Sequence, residues 1–224
     1  MDLQRACFLA NEVVGLLTPY TTRIAVAGGI RRGKADPHDI EIVCEPKRNP
    51  VPTLDLPTAL RSDAPNYAVL PGPDFVQFEV GRLLDRGVFQ RGDPDKRGAR
   101  APCGPKYYRL RYLGEKLDIF VVIPPAQWGA VFAIRTGGAG FSHSLVQRGY
   151  AKGIHEISGH LELVKGEAGA LVTQPFPHDE GKIPKSWQRA VIDTPEERDF
   201  FNALGVEWSD PKDRVTDPRH VGGV

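Results

Sequence analysis

The sequence is short of what a secreted, disulfide-bonded or membrane-spanning protein needs. Its three cysteines, Cys7, Cys44 and Cys103, are odd in number and form no Cys-x-x-Cys pair, so neither a disulfide framework nor a zinc site is implied. No apolar run is long enough to span a bilayer. The stretch from Met1 to Ala10 is too short and too polar at its flank for a secretory leader. A cytoplasmic, reducing setting is therefore expected, with no membrane partner. Excess charge of one sign is also missing: 29 Lys+Arg stand against 28 Asp+Glu, a formal net charge of +1, which argues against a strongly basic nucleic-acid binder. The six histidines form no ligand pattern. What the chain does have is 41% hydrophobic residues in 224, enough for a real core in one large domain or two small ones.

Chemistry concentrates between Ala27 and Ile42. Arg23-Ile24-Ala25-Val26-Ala27 reads as a buried strand, and Gly28-Gly29 then lets backbone N–H groups approach a phosphate before a short helical turn. Arg31, Arg32 and Lys34 supply countercharge there. In Asp39-Ile40-Glu41-Ile42-Val43 the acids alternate with apolar residues and share one face of a strand, their Cα atoms roughly 6.5 Å apart. Two carboxylates so spaced suit neighbouring divalent ions, which in two-metal sites lie about 3.5–4 Å apart. A bare Asp-x-Glu also describes the solvated face of an ordinary strand. Gly28-x-x-x-x-Gly33-Lys34 nearly matches a P-loop, but Ala35 stands where that motif needs Ser or Thr and Pro37 blocks its long helix. The dinucleotide fingerprint fails at Ile30.

Elsewhere, helical spacing of Leu3, Cys7, Ala10, Val13, Val14 and Leu17 predicts an amphipathic helix covering the sheet. Pro46 to Pro73 reads as a loop with a short helix near Leu56 to Arg61, Phe75 to Val80 as a strand, and Phe89 to Pro105 as an irregular surface loop. Tyr107 to Tyr112 and Lys116 to Val122 read as a hairpin, in whose second strand Asp118 is a lone acid among apolar residues, costly unless paired or bound to metal. Basic residues and tyrosines crowd between Arg86 and Lys116, as befits either a solvated loop or a phosphate-contacting surface. A helix from Trp128 to Arg135 breaks at Thr136-Gly137-Gly138 and resumes from Phe141 to Tyr150. Ile154 to Val164 forms a hairpin through Gly159-His160, and Gln174 to Lys185 a polar loop. A last helix has Thr194 as N-cap, Pro195 at its first position and Glu197 completing a capping box, and stops at Gly205.

Gly28-Gly29-Ile30-Arg31-Arg32-Gly33-Lys34 followed by His38-Asp39-Ile40-Glu41 resembles the active-site motif of the family X DNA polymerases, the polymerase beta group, with Ile30 for an aromatic residue and Glu41 for the second aspartate. The resemblance extends from Ala27 to Arg214 and includes phage-borne members, which would place the protein in a host cytoplasm. It implies an α+β fold: a nucleotidyltransferase palm, a mixed sheet with covering helices, over residues 1–124, then a small α/β thumb over 125–224. It leaves no room for the upstream lyase domain of larger members. By the same resemblance Asp39 and Glu41 would bridge two divalent ions, and Asp118 would complete the catalytic one and help deprotonate a primer hydroxyl. Magnesium is expected, with manganese as an alternative, since hard oxygen ligands and phosphates suit it.

The nucleotide would contact Gly28, Gly29, Arg32, Lys34, Thr136, Gly137 and Gly138. Arg97, Arg100, Lys106 and Ser142 would contact DNA, Ser142 standing where the family reads the minor groove with asparagine. Ile134 and Arg135 replace the family's Tyr-Phe pair at the sugar, implying weaker rejection of ribonucleotides. The expected protein is a monomeric DNA polymerase, acting with a nucleoside triphosphate on primer-template or gapped DNA in gap filling or repair. The alternative is a palm-type nucleotidyltransferase that modifies a small molecule, a protein or an RNA end.

Overall fold

The structure is a computed structural model and describes residues 1–48, 74–94, 98, 101–124, 126–176 and 183–215. Helix α1 (Leu3–Leu17) starts where the Asp2 carboxylate accepts the Arg5 N–H at 2.9 Å, satisfying a donor left over at the helix start. Its buried residues, Ala6, Leu9, Ala10, Val13 and Leu17, recur at helical spacing and form one stripe. Strand β1 (Thr21–Val26) follows, then the one-turn helix α2 (Gly28–Arg31), strand β2 (Ile40–Pro46), helix α3 (Phe75–Asp85), strands β3 (Phe89–Arg91), β4 (Cys103–Gly104), β5 (Tyr107–Tyr112) and β6 (Glu115–Val121). These strands form a mixed sheet of order β1-β2-β6-β5-β3, with β4 on β5. All pairings are antiparallel except that of β2 with β6.

Alternation gives this sheet two different faces. Ile40, Ile42, Cys44, Leu117, Ile119, Val121, Tyr108, Leu110 and Tyr112 are buried together with α1 and α3 in one cluster. The intervening residues, Glu41, Val43, Asp118, Phe120, Tyr107 and Arg109, belong to the opposite face. There Val43 and Phe120 meet Trp128 and Phe132 of helix α4 (Trp128–Thr136), and the acids are left beside them.

After α4 come helix α5 (Ala139–Tyr150), strands β7 (Ile154–Ile157), β8 (His160–Lys165) and β9 (Gln188–Ile192), and helix α6 (Glu197–Leu204). The strands make an antiparallel sheet of order β7-β8-β9. Ala130, Ala133, Phe141, Leu145, Leu161, Phe200, Phe201 and Leu204 form its core with the helices. Phe141, Phe200 and Phe201 are at most 1% exposed, and each stabilises this packing by about 1.5–3 kcal/mol.

Both expected hairpins form, and each turns on two residues with positive φ: Leu113 (47°) with Gly114 (84°), and Ser158 (52°) with Gly159 (90°). This is the two-residue turn that matches strand twist. The expected strand at Phe75 to Val80 is instead α3. Asp74 accepts the N–H groups of Val76 and Gln77 at 2.9 and 3.1 Å, and Val76, Glu79, Val80 and Leu83 bury at helical spacing; six alternating residues fit either period until a cap decides. The last helix begins later than expected, with Glu196 as N-cap and Asp199 completing the capping box. Thr194 is buried and gives its N–H and hydroxyl to Gln127. The Phe89 to Pro105 loop carries short strands at its ends, and β9 was not anticipated. The helix expected near Leu56 to Arg61 lies outside the described residues, as do 177–182 of the polar loop.

Gly129 in α4 shows how closely the second group of elements packs. A Cβ there would lie 2.2 Å from the Glu196 carbonyl oxygen and 2.4 Å from that of Thr194, and backbone atoms cannot rotate away. Gly129→Ala should therefore destabilise the protein by about 3 kcal/mol. Gly140→Ala in α5, where nothing lies within 4 Å, should be neutral or slightly stabilising. Urea unfolding of both variants checks the contrast.

Candidate active site

Because β2 and β6 run parallel with Glu41 opposite Asp118, these two acids leave the sheet side by side. Asp39, two residues before Glu41, lies in the bend just before that strand. The Ala27 N–H donates to the Glu41 carbonyl at 2.8 Å, which holds the glycine turn against the acidic strand. Gly28 has φ of +61°, and a Cβ on it would fall 1.8 Å from Glu41 Oε2. The positive φ favours glycine there, and any Cβ would push the Glu41 carboxylate out of its place.

The acids sense one another. Glu41 is pushed up to about 7, chiefly by burial and then by the Asp39 carboxylate, against the pull of Arg135, with Asp118 adding to the rise. Asp118 is raised too, first by burial, while a hydrogen bond from Tyr107 and the charge of Arg109 oppose it. Among the described residues no three His, Cys, Asp or Glu side chains converge closely enough to hold a metal ion by themselves. Magnesium commonly takes one or two carboxylates plus substrate phosphates instead of an all-protein cage. Neighbouring hard-oxygen donors whose charges oppose each other fit an ion held jointly with a substrate.

Glu41 and Asp118 line a cleft of about 670 Å³, whereas Asp39, Arg32, Lys34 and the Gly28-Gly29 turn are not among its lining residues. One wall carries Glu41, Asp118, Tyr107, Arg109 and Lys106; the other carries Ile134, Arg135, Glu156 and Ser158.

The arginines of the glycine motif divide. Arg31 is not free countercharge: it donates to Thr136 Oγ1 at 2.6 Å and to both oxygens of Glu197 at 2.7 and 3.0 Å. Arg214, fully buried, grips the same carboxylate at 2.6 and 3.1 Å. Burial alone would raise Glu197, but these two guanidiniums hold it down to about 2. Arg32 gives Nη1 to the Thr136 carbonyl at 2.5 Å. Lys34 lies 3.0 Å from His38 Nε2 and 3.7 Å from Asp36.

Thr136 is 0% exposed, so its side chain is committed to Arg31 and does not face a nucleotide. Gly137 and Gly138 pass close to neighbours, Gly137 because a Cβ would meet Ser142 Oγ at 2.4 Å and Gly138 because its N–H donates to the Arg214 carbonyl at 3.0 Å. Ser142 is 8% exposed and donates to the Ile134 carbonyl at 2.8 Å. A buried, bonded hydroxyl is no minor-groove probe, which corrects that expectation. Lys106 lies on the cleft; Arg97 and Arg100 are outside the described residues. The roles of Tyr107 and Arg109 beside the acids were missed because only strand register puts them there, and that of Arg135 because it reaches Glu41 from helix α4.

No family model matches the chain, and no curated protein does. A solved structure does: that of Leishmania infantum polymerase beta in a ternary P/T complex, with a TM-score of 0.57, 17% identity, and coverage of 96% of this chain and 76% of that one. The likeness is one of fold. The polymerase beta fold, with its mixed sheet and covering helices, is thus what the two sheets and six helices build. Among the described residues no helix is long and apolar enough to cross a membrane.

Burial penalises only the charged form of Glu41, so the folded protein keeps its proton up to about pH 7, whereas the unfolded chain releases it near the ordinary value of 4.5. Stability contributed at this position therefore falls as pH rises between those two values, and the full cost stands above them. Glu41→Gln should be more stable than the parent by on the order of 1–3 kcal/mol at pH 8 and should show no gain at pH 4. Thermal melts in chelator at the two pH values measure this.

Proposed function

We propose that the chain is a nucleotidyltransferase of the polymerase beta type, moving a nucleotide from a nucleoside triphosphate to a DNA 3′-hydroxyl. The observation that carries this reading is the in-register pairing of Glu41 with Asp118, with Asp39 two residues away and the Gly28 turn packed on Glu41. Residues 1–124 would act as palm and 125–224 as thumb.

Asp39 and Glu41 would hold divalent magnesium, or manganese, together with Asp118. Bound there, the ions would neutralise the transferring phosphoryl group and lower the pKa of the attacking hydroxyl. Asp118 would take up the hydroxyl's proton on a carboxylate oxygen. Arg32 and the N–H groups of Gly28 and Gly29 would orient the triphosphate, with Lys34 adding charge at its edge. Gly137 and Gly138 would bring backbone close to the sugar. Lys106, and Arg97 and Arg100 from the neighbouring loop, would meet DNA phosphates.

Transfer to a small molecule, a protein or an RNA end would need the three acids but no DNA grip. The match over 96% of the chain includes the elements after α4 and supports a nucleic-acid primer. A monomer acting on gapped DNA is the form expected, and extension of a labelled primer with a template, with a gap and with neither tests the reading. Failure on all three, with transfer to another acceptor, would overturn it.

Asp118→Asn should lower the extension rate by on the order of 10²–10⁴-fold while leaving the melting temperature within a few degrees, because a site carboxylate serves chemistry more than packing. Near-normal turnover would remove Asp118 from the mechanism.

Arg32 should act through its fork of donors. Arg32→Ala should weaken nucleotide binding far more than DNA binding, and Arg32→Lys should restore it only in part. Equal losses for both ligands would make Arg32 a DNA contact.

A further inference from the structure

The face of the sheet that carries the acids is laid out in rows. Glu41, Asp118 and Arg109 make one row, since Glu41 pairs with Asp118 and Asp118 with Arg109. Val43, Phe120 and Tyr107 make the next. Tyr107 is thus diagonal to Asp118, a separation that an aromatic side chain can bridge. Its hydroxyl donates to Asp118 Oδ1 at 2.8 Å.

Arg109 Nε donates to the same hydroxyl oxygen at 3.0 Å and stands 3.5 Å from Asp118 Oδ1. A guanidinium has no acceptor, so the phenol proton points to the carboxylate. The ring lies flat on Phe120, with centroids 4.9 Å apart and planes 11° apart. Arg135 lies 4.1 Å over Phe120, and Arg109 5.6 Å from the Tyr107 centroid.

We propose that Tyr107, oriented by Arg109, is a positioning residue that fixes Asp118 by one oxygen, leaving the other to face the cleft for a divalent cation and the proton of the attacking hydroxyl. This rests on the reading of Asp118 as the acid of a nucleotidyl transfer. An unheld carboxylate turns about its last bond, and each orientation except one spoils its geometry toward the reacting atoms. An outer hydrogen bond that removes this freedom typically changes metal affinity or activity about 10–100-fold. The antiparallel register of β5 and β6 supplies both members of the device, two residues apart on one strand.

Tyr107→Phe keeps the ring and its stacking and removes only the hydroxyl. Primer extension by this variant should show kcat lowered about 10–100-fold, with the nucleotide KM within about twofold and the melting temperature unchanged. Mn²⁺ alone, titrated without nucleotide or DNA, should bind about tenfold more weakly. Arg109→Ala should lose less in kcat, and the double variant should lose less than the two single losses combined, since part of the effect of Arg109 passes through the hydroxyl and the rest through its own ion pair with Asp118.

Unchanged kcat and unchanged Mn²⁺ affinity in Tyr107→Phe would overturn the proposal, and fully additive losses would overturn the part given to Arg109. If the parent protein extends no primer but binds Mn²⁺, the functional reading fails and the Mn²⁺ comparison still decides on Tyr107. A parent that neither extends primer nor binds Mn²⁺ overturns both.

Discussion

The parallel pairing of β2 with β6 is the constraint on which the site depends. Parallel strands cannot be joined by a tight turn and need a long crossover, so Glu41 and Asp118 come from distant parts of the chain. Once the register is set, Ile40, Ile42, Leu117 and Ile119 all enter the core under α1 and α3, and the acids are forced to the other face. A slip of one residue would bury both carboxylates and expose the isoleucines. Core packing and the placement of the two acids are therefore enforced by the same hydrogen-bonded ladder.

Glu197 does for the two halves of the structure what β2–β6 pairing does for the sheet. Its carboxylate accepts five hydrogen bonds from three side chains, two each from Arg31 and Arg214 and one from Trp208 Nε1. A buried ion pair gains little net stability over an apolar contact of the same size, but removing one partner leaves a costly unpaired charge. The cluster is thus better understood as fixing where α6 and the chain near Arg214 sit relative to the glycine turn. Arg31, a residue of the sequence motif, is held by the helix that begins at Glu197.

What could be read in the sequence was what is local. α1, the glycine turn, the acid-bearing strand and both hairpins follow from spacing and turn residues, and the neighbourhood of Glu41 and Asp118 follows once the two strands pair. The errors lie where two local signals compete. Phe75 to Val80 alternates well enough for a strand, and only the cap at Asp74 tips it to a helix. Thr194-Pro195-Glu196-Glu197 offers two overlapping caps, and the demand of Arg31 and Arg214 for the Glu197 carboxylate goes with the later one. Ser142 looked like a surface reader because its position in the motif, not its burial, was visible. The roles of Tyr107 and Arg109 beside Asp118 were hidden, since nothing in a single strand's sequence states what lies opposite, and that of Arg135 depends on how α4 packs on the sheet.

The electrostatics of the cleft follow from this division. The net charge of +1 conceals a place where carboxylates are gathered, and there burial and mutual repulsion lift Glu41 and Asp118. The motif's own arginines do little to relieve it, because Arg31 is paired with Glu197 and Arg32 gives one donor to the Thr136 carbonyl. Relief comes from side chains outside the motif: Arg109 beside Asp118, and Arg135, which stacks on Phe120 and has no ion pair among the described residues. Stacking on an aromatic face lets a guanidinium sit near the acids with its in-plane donors uncommitted. The acids are thereby accommodated by cations from β5 and α4, elements distant in sequence from the glycine motif.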